Sequence, residues 1–245
     1  MSAMRCFKLV IEFDGTYFVG WQIQPNGRTV QEEITKVLEQ VLQEPINLIG
    51  AGRTDSGVHA RGMVASFKTN SSTGAGSLLS SLNGILPDDI HVHSVEEVAE
   101  EFHARYDAKD RNYRYYIALH HSPIGRFYQW YVKYPLNVEA MNRVAAQILS
   151  EHDFTSFCKF DPSVKSYLCT VLSSHWTETP SLLTYEICAN RFLHGMVRGL
   201  VGTMVDVGRG YTEESEFIGI LNSRDRRRAG MAAPPHGLFL EEVRY

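Results

Sequence analysis

The order in which hydrophobic periods follow one another limits the fold of this chain more than any other feature. Phe7, Leu9, Ile11 and Phe13 alternate across residues 6–13, and Asp14-Gly15 then breaks the run. Apolar residues at every second position make a strand with one buried side. Val30, Ile34, Val37, Leu38, Val41 and Leu42 recur at helical spacing, behind a capping-box pair of Thr29 and Glu32. Short strand patterns at 46–49 and 63–67, a helical set of Leu78, Leu79 and Leu82, and a closing strand at Ile90 and Val92 complete the run. The order is β-α-β-β-α-β, the split βαβ or ferredoxin-like pattern.

The same order recurs further on. Tyr113, Tyr115, Ile117 and Leu119 alternate on one strand face. Asn137 can cap a helix carrying Val138, Met141, Val144, Ala145, Ile148 and Leu149. Strand patterns near 166–176 and 183–192 lead to a helix with Met196, Val197, Leu200, Val201, Met204 and Val205. A shorter helix around 214–221 reads as an insertion, and 238–243 as the last strand. Element order alone relates the halves, with no sequence identity between them. The expected fold is α+β: two ferredoxin-like halves, residues 1–108 and 109–245, joined into a continuous, mostly antiparallel sheet flanked by helices. The join near residues 108–110 has no Pro/Gly-rich linker, so the halves are expected to pack closely.

Composition narrows the class. A chain of 245 residues with 44% hydrophobic and 21% charged residues is ordinary for a globular protein. It has no apolar run long enough to span a bilayer. Met1-Ser2-Ala3 leads directly towards the first strand pattern, so no secretory leader and a cytoplasmic location are expected. Cys6, Cys158, Cys169 and Cys188 form no C-x-x-C pair and read as free thiols. The histidines are equally scattered, and no metal site is expected. The net charge of −4 is not that of a strongly basic nucleic-acid binder. Local clusters set the field at a binding face, however. Three stand out: Arg105, Lys109, Arg111 and Arg114; Arg191, Arg198 and Arg209; and Arg224 with Arg226, Arg227 and Arg228. Each is open to reading as solvated surface or as a binding patch.

Three positions carry possible chemistry. Asp55 lies between two strand patterns in Gly52-Arg53-Thr54-Asp55-Ser56-Gly57-Val58-His59-Ala60. Asp, Ser and Gly are ordinary turn residues, so a simple turn is one reading. The other is a catalytic carboxylate that Arg53, two residues away, keeps ionised. A hairpin turn by itself has no need of the Arg, Thr and His around it. Tyr113 stands among Arg111, Arg114 and Tyr115 at the start of a strand, either a nucleobase-stacking ring or part of a buried face. Arg198 is the odd member of an apolar helix. It either snorkels to solvent or pairs with a carboxylate, Asp206 being a competing partner two turns away.

Taken together, these stretches resemble the bacterial tRNA pseudouridine synthases of the TruA type, over nearly the whole chain. The resemblance rests on Ile11-Glu12-Phe13-Asp14-Gly15-Thr16, Gly20-Trp21-Gln22, Thr29-Val30-Gln31-Glu32 and the Gly52–Arg61 motif. It continues through Phe102-His103-Ala104-Arg105-Tyr106-Asp107-Ala108, Tyr113-Arg114-Tyr115, Phe192-Leu193-His194-Gly195-Met196-Val197-Arg198 and Ala233-Pro234-Pro235-His236-Gly237-Leu238. Gly195 departs from the bulkier or polar residue expected there. The resemblance implies that Asp55 is the catalytic aspartate, Tyr113 the ring that stacks on the target uracil, and Arg198 the basic residue paired with the aspartate. It further implies that Arg53 is a motif arginine near the aspartate and the RNA, and that Leu238 lines the pocket. By the same resemblance the protein is a homodimer that needs no cofactor and modifies uridines in the anticodon arm of tRNA. Two other readings stand beside it: a non-catalytic RNA binder on the same fold, and a glycosidase-like hydrolase. The second calls for a further carboxylate at a defined separation, and the sequence offers no strong candidate.

Overall fold

The computed structural model describes residues 4–245; Met1–Ala3, at the head of the segment read above as lacking a leader, lie outside the described residues. The chain is mixed α+β and its strands pair mostly antiparallel. It divides into two compact units. One holds the residues up to Lys109 together with Leu240–Tyr245, and the other Asp110–Phe239.

The first unit runs β1 (Arg5–Phe13), α1 (Val30–Leu42), β2 (Ile49–Gly50), β3 (His59–Thr69), α2 (Ala75–Ile85) and β4 (Ile90–Val98). Its strands lie in the order β4-β1-β3, with the short β2 on β3. Arg61 and Gly62 of β3 contact Glu241 of the last strand, β10 (Leu238–Arg244). The alternation in β1 buries Phe7, Leu9, Ile11 and Phe13, and α1 buries Val30, Ile34, Val37, Leu38 and Leu42. Each such side chain contributes roughly 1.5–3 kcal/mol on burial. Thr29 caps α1 by accepting the Glu32 amide, but Glu32 itself turns to Lys36, so only half of the expected capping box forms. The register of β1 with β3 slips between Ile11 and Phe13. Such a bulge re-aims the end of a strand, and here it lies where β1 enters Asp14 and β3 leaves the Asp55 loop.

The second unit runs β5 (Asp110–Ala118), β6 (Trp130–Tyr131), α3 (Val138–Ala146), β7 (Ser150–Asp153), β8 (Leu168–Glu178), β9 (Leu182–Ala189), α4 (Met196–Gly208) and α5 (Glu214–Ser223). The strand order is β5-β9-β8-β7, and β6 lies parallel on β5. Asn137 caps α3 through the Ala140 amide, as expected. The helix stops at Ala146, leaving Ile148 and Leu149 outside it, and Ser150 then takes a positive φ of 81°. α4 is buried nearly all round, the pattern of a helix in the middle of a core. Among its residues only Arg198 and Asp206 are half-buried. No helix of the described residues is long and apolar enough to cross a membrane.

Candidate active site

Asp55 sits in a turn that the segment 14–21 grips from one side. The Asp55 carbonyl accepts the Val58 amide at 3.1 Å, and Gly57, the third residue of that turn, has φ of 76°. A positive φ at that position is what a type II turn requires. The turn reading is therefore true of the backbone, and it leaves the carboxylate on a fixed corner. Four contacts hold the corner. Trp21 N–H donates to the Thr54 carbonyl at 3.2 Å. Ser56 Oγ and Gly57 N–H both donate to the Phe18 carbonyl, at 3.2 and 3.3 Å. Gly15 N–H donates to His59 Nδ1 at 3.0 Å. His59 is 1% exposed, and the Asp14 carboxylate lies 3.1 Å from the same nitrogen. A nitrogen that accepts an N–H carries no proton, so the Asp14–His59 contact is an ion pair only when the ring is protonated.

Gly20 completes the grip. Its φ is 107°, and a Cβ there would stand 2.6 Å from the Thr54 carbonyl oxygen. Thr54 is buried, and among the described residues its hydroxyl has no hydrogen-bond partner. Asp55 is half-buried and Arg53 exposed. Among the described residues Arg53 makes no ion pair with Asp55. From the sequence, Gly15, Phe18, Gly20 and His59 carry no expected role at the site. The signal for Gly15 and Gly20 is the pair of motif stretches 11–16 and 20–22, and for His59 the Gly52–Arg61 motif.

In the second unit Tyr113 lies on β5 opposite Ile187 of β9, with its ring edge-on to Phe192 at 4.9 Å. Tyr113 is buried, at 8% exposure. Tyr115, two residues on, is wholly buried, and its hydroxyl donates to the Pro234 carbonyl at 2.8 Å. Burial pushes that phenol up, and the Arg198 charge opposes the shift. Arg198 neither snorkels nor pairs with Asp206. Its Nε donates to the Ala233 carbonyl at 2.8 Å, and Ala233 N–H returns a bond to the Arg198 carbonyl at 2.9 Å. Asp206 is taken by Arg209 at 2.8 Å. Leu238, 5% exposed, follows the 3-10 turn Pro235–Gly237 at the start of β10. The stretch 233–238 thus ties Arg198, Tyr115 and Leu238 to one strap of backbone. The role of Ala233 and Pro234 is carried by carbonyls, which the side-chain pattern does not advertise.

Gly195, the departure noted above, is the N-cap of α4 with φ of 72°, a conformation that a bulkier residue adopts only with strain. The basic clusters are neutralised in part: Arg114 pairs with Glu186, Arg209 with Asp206, Arg224 with Asp153 and Arg227 with Asp225. All four cysteines are buried, and none is in a disulfide among the described residues. No group of three or more His, Cys, Asp or Glu among the described residues is arranged to hold a metal ion.

The family model described as tRNA pseudouridine synthase matches residues 9–107 and 144–245. Asp55, Arg53, Arg198 and Leu238 fall inside the matched residues, and Tyr113 falls between them. The chain is 44% identical to tRNA pseudouridine synthase A of Thermoanaerobacter sp. (strain X514), covering 99% of this chain and 100% of that one. It is likewise 44% identical to tRNA pseudouridine synthase A of Chlorobaculum tepidum, over 98% of each chain. Against tRNA pseudouridine synthase A of Exiguobacterium sp. (strain ATCC BAA-1283 / AT1b) the identity is 40%, over 99% of this chain and 98% of the other.

Proposed function

The chain belongs to the tRNA pseudouridine synthase family, and from that premise we propose how its residues divide the work. The reaction is the isomerisation of uridine to pseudouridine in tRNA. The bond between ribose C1′ and uracil N1 breaks, the uracil turns, and C1′ rejoins it through C5. Atoms are conserved, and no redox step or group donor enters. A resident cofactor therefore has no task in this reading.

We assign the catalytic carboxylate to Asp55. The observation that carries the assignment is the grip on its turn: backbone groups of residues 15–21, bonded to Thr54, Ser56, Gly57 and His59, fix the turn that carries the half-buried Asp55. Holding a reacting group in place removes much of the entropic barrier to reaction. Tyr113 is assigned to stacking on the extruded uracil. Flipping a base out of a stem costs a few kcal/mol, and one aromatic stack returns roughly 1–3. Arg198 is assigned as the basic residue of the reaction, its Nε held by the Ala233 carbonyl so that the rest of the guanidinium is aimed. Arg53, exposed on the motif loop, is assigned to the RNA backbone, and Leu238 to the apolar wall that keeps water from the detached uracil. In this division the aspartate belongs to the half ending near residue 108, and Tyr113 and Arg198 to the half that follows. The preferred substrate in this reading is the anticodon arm, the active species is a homodimer, and the enzyme works in the cytoplasm beside its substrate.

The deciding experiment maps pseudouridine in tRNA treated with purified protein, alongside Asp55→Ala. The variant is expected to bind tRNA with wild-type affinity and to form no product. Substantial pseudouridine from Asp55→Ala would overturn the assignment, and free uracil in place of pseudouridine would favour a hydrolase.

A further inference from the structure

Between the 3-10 turn Thr155–Phe157 and β8, the chain forms a closed loop that shows an aromatic ring to solvent. Phe160 is 72% exposed. One side of it lies along Tyr167, the rings 6.4 Å apart and 11° from parallel. The loop is tied from within. Tyr167 Oη accepts Asp161 N–H at 3.1 Å and donates to the Asp161 carbonyl at 3.0 Å. The Asp161 carboxylate accepts both the amide and the hydroxyl of Ser163, at 2.9 and 2.7 Å. Val164 N–H closes on the Asp161 carbonyl at 3.0 Å. So much internal bonding means that the ring is held outward by construction. An exposed Phe on a slack loop would collapse onto the nearest apolar surface.

The loop is rooted beside α4. Lys159 N–H donates to the His194 carbonyl at 2.9 Å, and His194 stands two residues before the start of α4, the helix that carries Arg198. A Cβ on Gly199, the residue after Arg198, would collide with the Phe157 carbonyl, so helix and loop root are in backbone contact. Charge separates this loop from the rest of the surface. Lys159 and Lys165 are exposed, and among the described residues no carboxylate lies within ion-pair distance of either. Arg114, Arg209, Arg224 and Arg227 of the basic clusters, by contrast, are already paired with carboxylates.

We propose that the Lys159–Tyr167 loop is a second RNA contact, in which Phe160 stacks on an unpaired base of the tRNA and Lys159 and Lys165 meet the neighbouring phosphates. The inference rests on tRNA as substrate, and it adds a binding element that the catalytic assignments do not use. An aromatic ring braced on one side by Tyr167 and open on the other offers a preset stacking surface, with little side-chain entropy left to lose. Base stacking of this kind tolerates any sequence. The contact therefore adds affinity without narrowing the range of tRNAs accepted.

The test measures tRNA affinity and pseudouridine formation for Phe160→Ala, Phe160→Leu, Phe160→Trp and the double variant Lys159→Ala/Lys165→Ala. Phe160→Ala is expected to weaken tRNA binding about 5- to 100-fold, raising KM with kcat nearly unchanged. Phe160→Leu, apolar but without a ring face, is expected to behave like Ala. Phe160→Trp is expected to restore affinity, and its added fluorescence to be quenched when tRNA binds. The double lysine variant is expected to flatten the dependence of log affinity on log salt by roughly 1.5. Because the ring is exposed, thermal unfolding of all four should match the wild type. Wild-type affinity in Phe160→Ala overturns the proposal. So does a lowered oligomeric state in sedimentation with tRNA binding lost in parallel, since the ring would then cover a second copy of the chain. Loop-dependent binding by a protein that forms no pseudouridine would sink the catalytic reading and support the loop.

Discussion

Gly20 shows how much of this site is decided at single residues away from the carboxylate. Its φ of 107° is a conformation that L side chains rarely take, and a Cβ would press on the Thr54 carbonyl beside Asp55. Gly20→Ala therefore meets strain and a collision together, and the segment that relaxes is the one that grips the Asp55 turn. Strain of this kind costs of order 1–3 kcal/mol, and a displacement near 1 Å at a reacting group costs about 100-fold in rate. The expected outcome is a modestly lowered denaturation midpoint with a disproportionate fall in kcat, read by chemical denaturation and single-turnover pseudouridine formation. Equal, small losses in both would mean that the loop adapts and that Gly20 matters only to folding. The same scale shows why the site was partly legible. Asp55, Tyr113 and Arg198, the residues proposed for the site, are chemically conspicuous side chains that stand out in the sequence. The grip on Asp55 comes from the Phe18 and Thr54 carbonyls and the Gly15 and Trp21 amides, and the aim of Arg198 from the Ala233 carbonyl. Backbone groups are alike at every residue, so no sequence pattern points to the few that serve.

At the scale of elements, caps and periods carried most of the fold. Asn137 was legible as a cap because its side chain does locally what the sequence suggests, accepting the Ala140 amide at 3.0 Å. Asn137→Ala is expected to destabilise the protein by about 1 kcal/mol, and Asn137→Asp to keep most of that contribution through the helix dipole. Urea midpoints of the two variants give the comparison; equal loss in both would mean that the amide, not the oxygen, is the group in use. β7 was not legible for the opposite reason. Ser150–Asp153 is short and polar with no alternation, and it is a strand only because β8 lies alongside, pairing His152 with Cys169 and Asp153 with Leu168. The expected strand at 46–49 failed in a related way. Its apolar residues Ile46 and Leu48 are buried, but only Ile49 and Gly50 pair with β3. Burial is written in composition, whereas pairing depends on what arrives opposite.

For the whole molecule, the buried ionisable groups set a pH window for stability. Burial raises the thiols of Cys158 and Cys169 to about 11 and about 12, from an ordinary value of 9.0. It also raises the phenols of Tyr115 and Tyr185. In each case the folded state holds its proton more tightly than the unfolded chain does. The stability from these groups is fully present below their unfolded values and drains away as pH rises from about 9 towards 12. His236 acts at the other end, because burial lowers it from 6.5 despite a hydrogen bond to the Gln129 backbone. Below about pH 6.5 the unfolded chain takes up that proton more readily, so stability falls as pH falls. Asp225, held near 2 by its hydrogen bonds from Arg227, adds only a small surface contribution that disappears in strong acid. The expected profile is a plateau between about pH 6.5 and 9 with losses on both sides, measured as the urea midpoint against pH. The alkaline limb tests the cause directly: Cys169→Ala, whatever its cost at neutral pH, should shallow the fall above pH 9. An unchanged slope in that variant would place the alkaline sensitivity on the tyrosines, where Tyr115→Phe would then have to remove it.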